Sequence, residues 1–461
     1  MKEREPCTLG VCLGATATGE IVSIYVEPNH PLLQLKRALP WATLFEVMTR
    51  RWAAAGKNTD GRPGLPWDVS LYGPLVVLMC VKHLHARAME AYLAEHVVAR
   101  VFIGRQGDPR PQMRDHANIA RASTALGKDG VDEINALILH VARDLGFADI
   151  RILSSETTAQ ELPIGYPNEP GILGGLAQRC GRALVRLKTR AVLGVETALA
   201  QVQTILRTAK EHHLFAKSRA AKRQVLTRLL TEVGQLVVQT RPIVTRLGQS
   251  RDRVTQRATA TLVAMHEVAK RLLPQIVQWI TTGVVAQGKI LPAGVTQARA
   301  IVRHKAGKQV EFGLPSLLSR LGGGYLFGTL LRGGVDESKM PLRALAGYRA
   351  IFGAQATPAL VVYDRGGYAT ATLRALANEG VKAIGIQPKG QGAWHVAEAV
   401  RETVRSERGK TEGIIGTLKT DTYGFNKPKE RLWQTLEMAG PRSILSFNLN
   451  KLMRDLGRAD R

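Results

Sequence analysis

Cysteine is scarce in this chain: Cys7, Cys12, Cys80 and Cys180 are the only four in 461 residues, and no C-x-x-C pair or cysteine–histidine cluster occurs. That excludes a disulfide scaffold and a zinc ribbon, and it fits a reducing compartment. Long hydrophobic runs are missing too. The longest strongly apolar stretch, Pro74–Val81, is far too short to span a bilayer, and the first residues, MKEREPCTLG, contain no apolar signal region. A soluble intracellular protein is therefore expected. No GxxxxGK[ST] or GxGxxG context surrounds the glycines at 322–324, which read as a turn before a strand instead of a phosphate loop. Acidic residues are the third shortage. Asp and Glu number 38 against 64 Lys and Arg, leaving a net charge of +26.

Hydrophobic residues make up 45% and charged residues 22%, so the chain can bury a core, and its length suggests two or three domains. A pI near 10.3 on a folded chain points to a polyanionic partner, nucleic acid before membrane. The charge is concentrated. Gly171–Lys305 carries 23 Lys and Arg and five acids, hence 18 of the 26 excess charges, with only Phe215 and Trp279 as aromatics. Val225, Leu226, Leu229, Leu230, Val233, Leu236 and Val237 recur at helical spacing, so the block reads as long basic amphipathic helices. A solvated face would mix its signs more evenly. The stretch to about Gly146 also reads helical, with turns near Gly61–Pro66 and Pro109–Pro111. His83 and His85 cannot share a helix face and His212–His213 are adjacent, so neither pair reads as metal ligands.

What remains is an α/β pattern. Strands are expected at Ala148–Ser154, Ala298–Val302, Gln309–Phe312, Gly324–Leu331, Ala359–Tyr363 and Lys382–Gln387. Helices are expected at Leu342–Phe352, at Ala369–Asn378 and from Ala393 onward. With the basic block removed this suggests a ribonuclease H-like order, a mixed five-stranded sheet with flanking helices. The expected domains are a helical 1–146, a core of 147–170 plus 296–455, and a basic helical insertion 171–295.

Three acids fall at informative places: Glu156 just past the first strand, Asp364 at the end of PALVVYD, and Glu412 on the last helix. Terminal side chains of neighbouring strands about 4.8 Å apart can converge, and a helix across the sheet edge can add a third. Such carboxylates repel unless a divalent cation neutralises them, and two cations about 3.5–4 Å apart suit phosphodiester displacement. Lys419 follows Glu412 by two helical turns on the same face.

The segments ETTAQELPIGYPNEPG, GKQVEFG, VVYDRGGY and RGKTEGIIGTLK, followed by YGFNKP and NLNKL, resemble bacterial insertion-sequence transposases of the DDE type across most of the chain. The resemblance implies metal-dependent DNA cleavage and strand transfer, with Glu156, Asp364 and Glu412 as catalytic acids and ligands of two Mg²⁺ or Mn²⁺ ions. It implies DNA contacts by Lys419, Arg365, Lys389, Arg408 and Lys410. Transposon ends and target DNA would be the partners, in a homodimer in the bacterial cytoplasm, associated with the nucleoid and with no membrane partner. Glu169, in YPNEPG, is expected to be supporting or structural. The family usually has Asp where this chain has Glu156. The extra methylene displaces the carboxylate by about 1.5 Å, and a misplacement near 1 Å can cost roughly 10²-fold in rate. A transposase-derived DNA-binding protein without cleavage is therefore the alternative. A helical structural or RNA-binding protein is a third. Trp394 and Tyr423 are open to either core packing or base stacking.

Overall fold

The computed structural model describes residues 26–57, 68–105, 116–190, 192–305, 308–332, 335–390, 392, 394, 396–430 and 432–459. Cys7, Cys12, the turns at Gly61–Pro66 and Pro109–Pro111, and Ala393 lie outside the described residues.

Helices α1 (Pro31–Ala38), α2 (Trp41–Ala54), α3 (Val69–Lys82), α4 (Ala86–Glu95), α5 (Val97–Phe102), α6 (His116–Ala125) and α7 (Gly127–Asp144) lead into strand β1 (Asp149–Glu161). Four long helices follow: α8 (Glu169–Lys188), α9 (Val195–Leu214), α10 (Arg219–Leu247) and α11 (Arg253–Thr282). The remainder is β2 (Arg299–Lys305), β3 (Lys308–Gly322), β4 (Leu326–Leu330), α12 (Met340–Phe352), β5 (Leu360–Tyr363), α13 (Thr370–Asn378), β6 (Ala383–Ile386), α14 (Glu398–Leu418) and α15 (Trp433–Ala459).

The chain divides into two compact units, Met1–Gln160 with Ser316–Arg461, and Glu161–Pro315. In the first, Leu35, Leu44, Trp52, Leu75 and Ile138 of the N-terminal helices share one core with Leu153, Leu317, Val361 and Tyr363 of the sheet. Packing thus draws no boundary at 146/147. The second unit is a bundle in which α8 packs on α9 and α11, and α10 on α9 and α11. It extends beyond 171–295 because β2 and the first half of β3 belong to it. Its helices start where side chains cap free backbone N–H groups: Asn168 accepts from Gly171, Ser218 from Ala221 and Asp252 from Thr255. Val225, Leu226, Leu229, Val233 and Leu236 are buried, so the apolar stripe of α10 is its core face. Cys180 is buried in this bundle, and desolvation pushes its thiol up to about 12, which suppresses the reactive thiolate.

The described strands run β2–β3–β1–β5–β6 in space, with β4 also on β3, so the sheet has six strands where five are expected. All six expected segments join one sheet because β3 has two partners: its first half pairs antiparallel with β2 and its second half with β4. Gly322 lies against Asp149, while the Ser319 hydroxyl meets that of Ser155 at 2.8 Å. As β1 advances β3 retreats, so this pair is antiparallel. β1 with β5 and β5 with β6 are parallel, and the sheet is mixed. The first strand also runs to Glu161, which places Glu156 inside it, not past its end. The β-branched Thr157 and Thr158 prolong the extended backbone. Beyond 398 the chain forms two helices where one is expected. Gly424, at φ +64°, and Pro428 lie in the break between them.

Among the described residues no single helix is long and apolar enough to cross a membrane. Together α3 and α4 have the composition, but they meet at a 96° bend, and most of α3 is buried in the core.

The turn joining β3 to β4 requires glycine. Gly323 has φ +81°, and a Cβ there would lie 2.0 Å from the Phe147 carbonyl oxygen. Gly323→Ala is expected to destabilise the protein by about 2 kcal/mol or more, because left-handed strain and a backbone clash add. A urea midpoint equal to that of the parent would refute this.

Candidate active site

Parallel pairing aligns Ser154 with Val362. Two residues further along each strand stand Glu156 and Asp364, level with one another on neighbouring strands and, by alternation, on the same sheet face as Ser154 and Val362. Asp364 keeps an extended backbone and closes a tight turn, its Oδ1 accepting the Gly366 N–H at 2.9 Å. A Cβ on Gly366 would fall 3.0 Å from that oxygen, and one on Gly367 2.5 Å from the Tyr363 ring, so the pair of glycines lets the chain fold tightly beside the acid.

Helix α14 covers this face. Val404 packs on Leu360 and Val362, and Thr411 donates to the Ser154 hydroxyl at 2.7 Å. Between these contacts lies a buried ion pair: Arg320 of β3 meets Glu407, whose other oxygen accepts from Lys410 at 2.7 Å. Burial pushes the Glu407 carboxyl up, but the hydrogen bonds and charges of Lys410 and Arg320 outweigh it and hold the group below the ordinary carboxylate range. Glu412 follows Thr411 directly and shares a cavity wall with Tyr363, the residue before Asp364. Its side chain is 61% exposed, with Arg408 3.7 Å away.

The sequence reading missed a fourth carboxylate. Glu337, in a short turn before α12, accepts from Thr157 Oγ1 at 2.5 Å and from the Tyr363 hydroxyl at 2.5 Å. Thr157 adjoins Glu156 and Tyr363 adjoins Asp364, so Glu337 ties the two strands together from the opposite face. Burial, then the bond to Glu337, drives the Tyr363 hydroxyl far above its usual value. Only the density of polar residues in VDESK hints at this role, and its partners lie 180 and 26 residues away.

Lys419 caps the C-terminus of α14. Arg365 is exposed in the turn after Asp364, and Lys389 is exposed beyond β6. Lys410 serves Glu407, with 54% of its side chain in solvent. Glu169 pairs with Lys289 at the start of α8, a structural contact inside the bundle. Tyr423 packs edge-on against His83 and Phe447, and Trp394 is partly buried against Val404 and its cluster. Core packing accounts for both rings.

Three carboxylates without sulfur or imidazole suit a hard divalent cation. Register places two of them together. Among the described residues, however, no group of three His, Cys, Asp or Glu is arranged to hold an ion, and Glu412 faces Arg408. Closing the set requires that side chain to swing inward.

Glu407→Gln leaves Arg320 buried without its counter-charge and is expected to cost about 3–5 kcal/mol at neutral pH. Because the folded protein holds this carboxyl below its unfolded value, its contribution is present above about pH 4.3 and is lost as pH falls through the folded value. The gap between parent and variant in thermal unfolding should therefore narrow on acidification. A gap that is constant or widens from pH 7 to pH 3 would contradict the assignment.

Comparison with known proteins returns no match to this chain from family models, curated proteins or solved structures.

Proposed function

We propose that this chain is a DNA strand-transfer enzyme, a transposase of the DDE type built on a ribonuclease H-like core. The observation carrying the reading is the β1–β5 register, which sets Glu156 level with Asp364 beneath the helix that bears Glu412. The spatial order β4–β3–β1–β5–β6, an antiparallel set followed by two parallel strands, supports the fold. Glu156, Asp364 and Glu412 would hold Mg²⁺ or Mn²⁺, one ion or two, which when bound stabilises charge on the entering and leaving oxygens of a phosphodiester.

The chain's own residues supply placement. The Gly366 N–H fixes the Asp364 carboxylate, and the Glu337 clamp holds the strands that carry both acids. Arg408 stands beside Glu412 and Arg365 follows Asp364, where each would meet a flanking phosphate, and Lys410, Lys419 and Lys389 would add further phosphate contacts. The basic bundle, with few acids to offset its lysines and arginines, grips DNA backbone. Two copies would hold two transposon ends, in a bacterial cytoplasm.

Purified protein, DNA carrying the sequences that flank the reading frame, and Mg²⁺ or Mn²⁺ test this directly. Asp364→Asn should lower cleavage more than about 100-fold, beyond the 10–100-fold typical of losing an outer-shell partner. Equal cutting by parent and variant would remove the assignment. The exposed placement of Glu412 and the long Glu156 side chain favour one second reading, a DNA-binding protein descended from such an enzyme. Glu156→Asp separates the two: a large gain in cleavage marks an impaired parent, whereas no gain marks a working Glu156. DNA affinity should fall with a log–log salt slope of about −0.9 per phosphate neutralised in either case.

A further inference from the structure

Helix α11 turns only one side to the bundle. Leu262, Ala269, Leu272 and Ile276 are buried in the core it shares with α8 and α10. On the other side Ala260, Val263, Glu267, Lys270, Pro274 and Val277 all face solvent. Their spacing alternates between three and four residues, the a/d pattern of a seam that meets a second helix. A single exposed valine needs no explanation. Val263 and Val277, 43% and 48% exposed, instead lie on one line with Ala260 and Pro274.

The charges on this seam differ from those elsewhere in the bundle. Glu169, Glu196, Glu211, Glu232 and Asp252 each meet a lysine or arginine of the bundle. Glu267 meets none among the described residues, although Lys270 and Arg271 stand one turn along, and those two cations are equally uncommitted. An ion pair within one exposed helix contributes little, so it does not withhold these groups from a partner.

Two copies of α11 laid antiparallel about a two-fold axis between positions 267 and 270 bring Glu267 of each copy to Lys270 and Arg271 of the other. The same register sets Val263 against Pro274 and Ala260 against Val277. Every layer then joins an a position to a d position, and the small Ala260 meets a larger side chain. A parallel pair would set Glu267 against Glu267 and Lys270 against Lys270, which repel. A two-fold interface uses one patch twice, so that patch must complement itself. This one does, in charge and in size. At about 0.15 M salt the repulsion between two basic bundles is confined to about 8 Å, while the Glu267–Lys270 contacts act within that distance. A face of about a dozen residues falls below the size of a standard interface and suits a reversible, micromolar contact.

We propose that α11 pairs antiparallel with α11 of a second copy of this chain, Glu267 against Lys270, in the absence of DNA.

The test is sedimentation of the full chain in EDTA without DNA, from about 1 µM to about 100 µM at about 0.15 M salt. A concentration-dependent passage from monomer to dimer is expected. Glu267→Lys and Lys270→Glu should each weaken it at least about 10-fold, because like charges then face one another across the axis. Mixing the two variants restores opposite charges on both sides of the axis and should return association to parental strength. A pair confined to one helix could not respond to mixing. Val263→Lys should also prevent the dimer while leaving the thermal midpoint of the monomer unchanged, since that side chain is exposed in the single copy. A parent that stays monomeric across the range, variants that associate like the parent, or a mixture as weak as its components overturns the proposal. No outcome involves DNA or cleavage, so the strand-transfer reading stands or falls separately.

Discussion

The pairing of Arg320 with Glu407 is the contact on which the candidate site depends. Both side chains are almost wholly buried, one on a central strand and the other midway along α14. Taking two charges out of water is expensive, and only close pairing with a full set of hydrogen bonds offsets it. The pair therefore tolerates little sliding or rotation of the helix. Glu412 and Arg408 both ride on that helix. The Thr411–Ser154 bond lies one turn along and pins the same register from a neighbouring strand. Helix rotation is fixed to the sheet by polar contacts more than by the apolar patch around Val404, which alone would accept several packings.

The opposite face is secured differently. There Glu337 draws the Thr157 and Tyr363 hydroxyls together, and a large apolar core from the N-terminal helices presses on Leu153 and Val361. The acids thus stand on strands braced from below by hydrogen bonds and from above by an ion pair. Positive charge is split between two places. A few arginines and lysines surround the carboxylates, while most of the excess sits on the bundle, whose apolar stripes pack inward and leave basic side chains in water.

Much of this architecture is legible in the sequence because it depends on local pattern. The apolar run ALVVY can hardly be anything but a buried strand, and the i, i+3, i+4, i+7 spacing in α10 marks its core face. The level placement of Glu156 and Asp364 is legible only as a possibility, since parallel register depends on how two distant segments pair. The length of β1 misleads because its second half, TTAQE, is polar and looks like a loop; buried positions on both faces keep it extended. All six strand segments are legible, but their union in one six-stranded sheet is not, because one long strand changes partner midway and alternation carries no mark of that change. Glu337 and the Arg320–Glu407 pair escape for the same reason: a residue's partner across long sequence separation leaves no periodic trace.

The bundle leaves and rejoins the chain through two strands that run side by side. The Leu162 N–H bonds the Phe312 carbonyl at 3.0 Å, so the entry and exit of the whole segment are neighbours in space. To the rest of the chain, those many residues behave like a hairpin loop whose ends already meet. Closing a loop costs entropy that grows only with the logarithm of its length, so lengthening it adds little once the two strands have paired. An architecture of this kind can accept, exchange or lose a whole helical module at one point while the strand register beneath the acids stays as it was. Changes in the basic surface of the bundle can then accumulate separately from changes in the carboxylates.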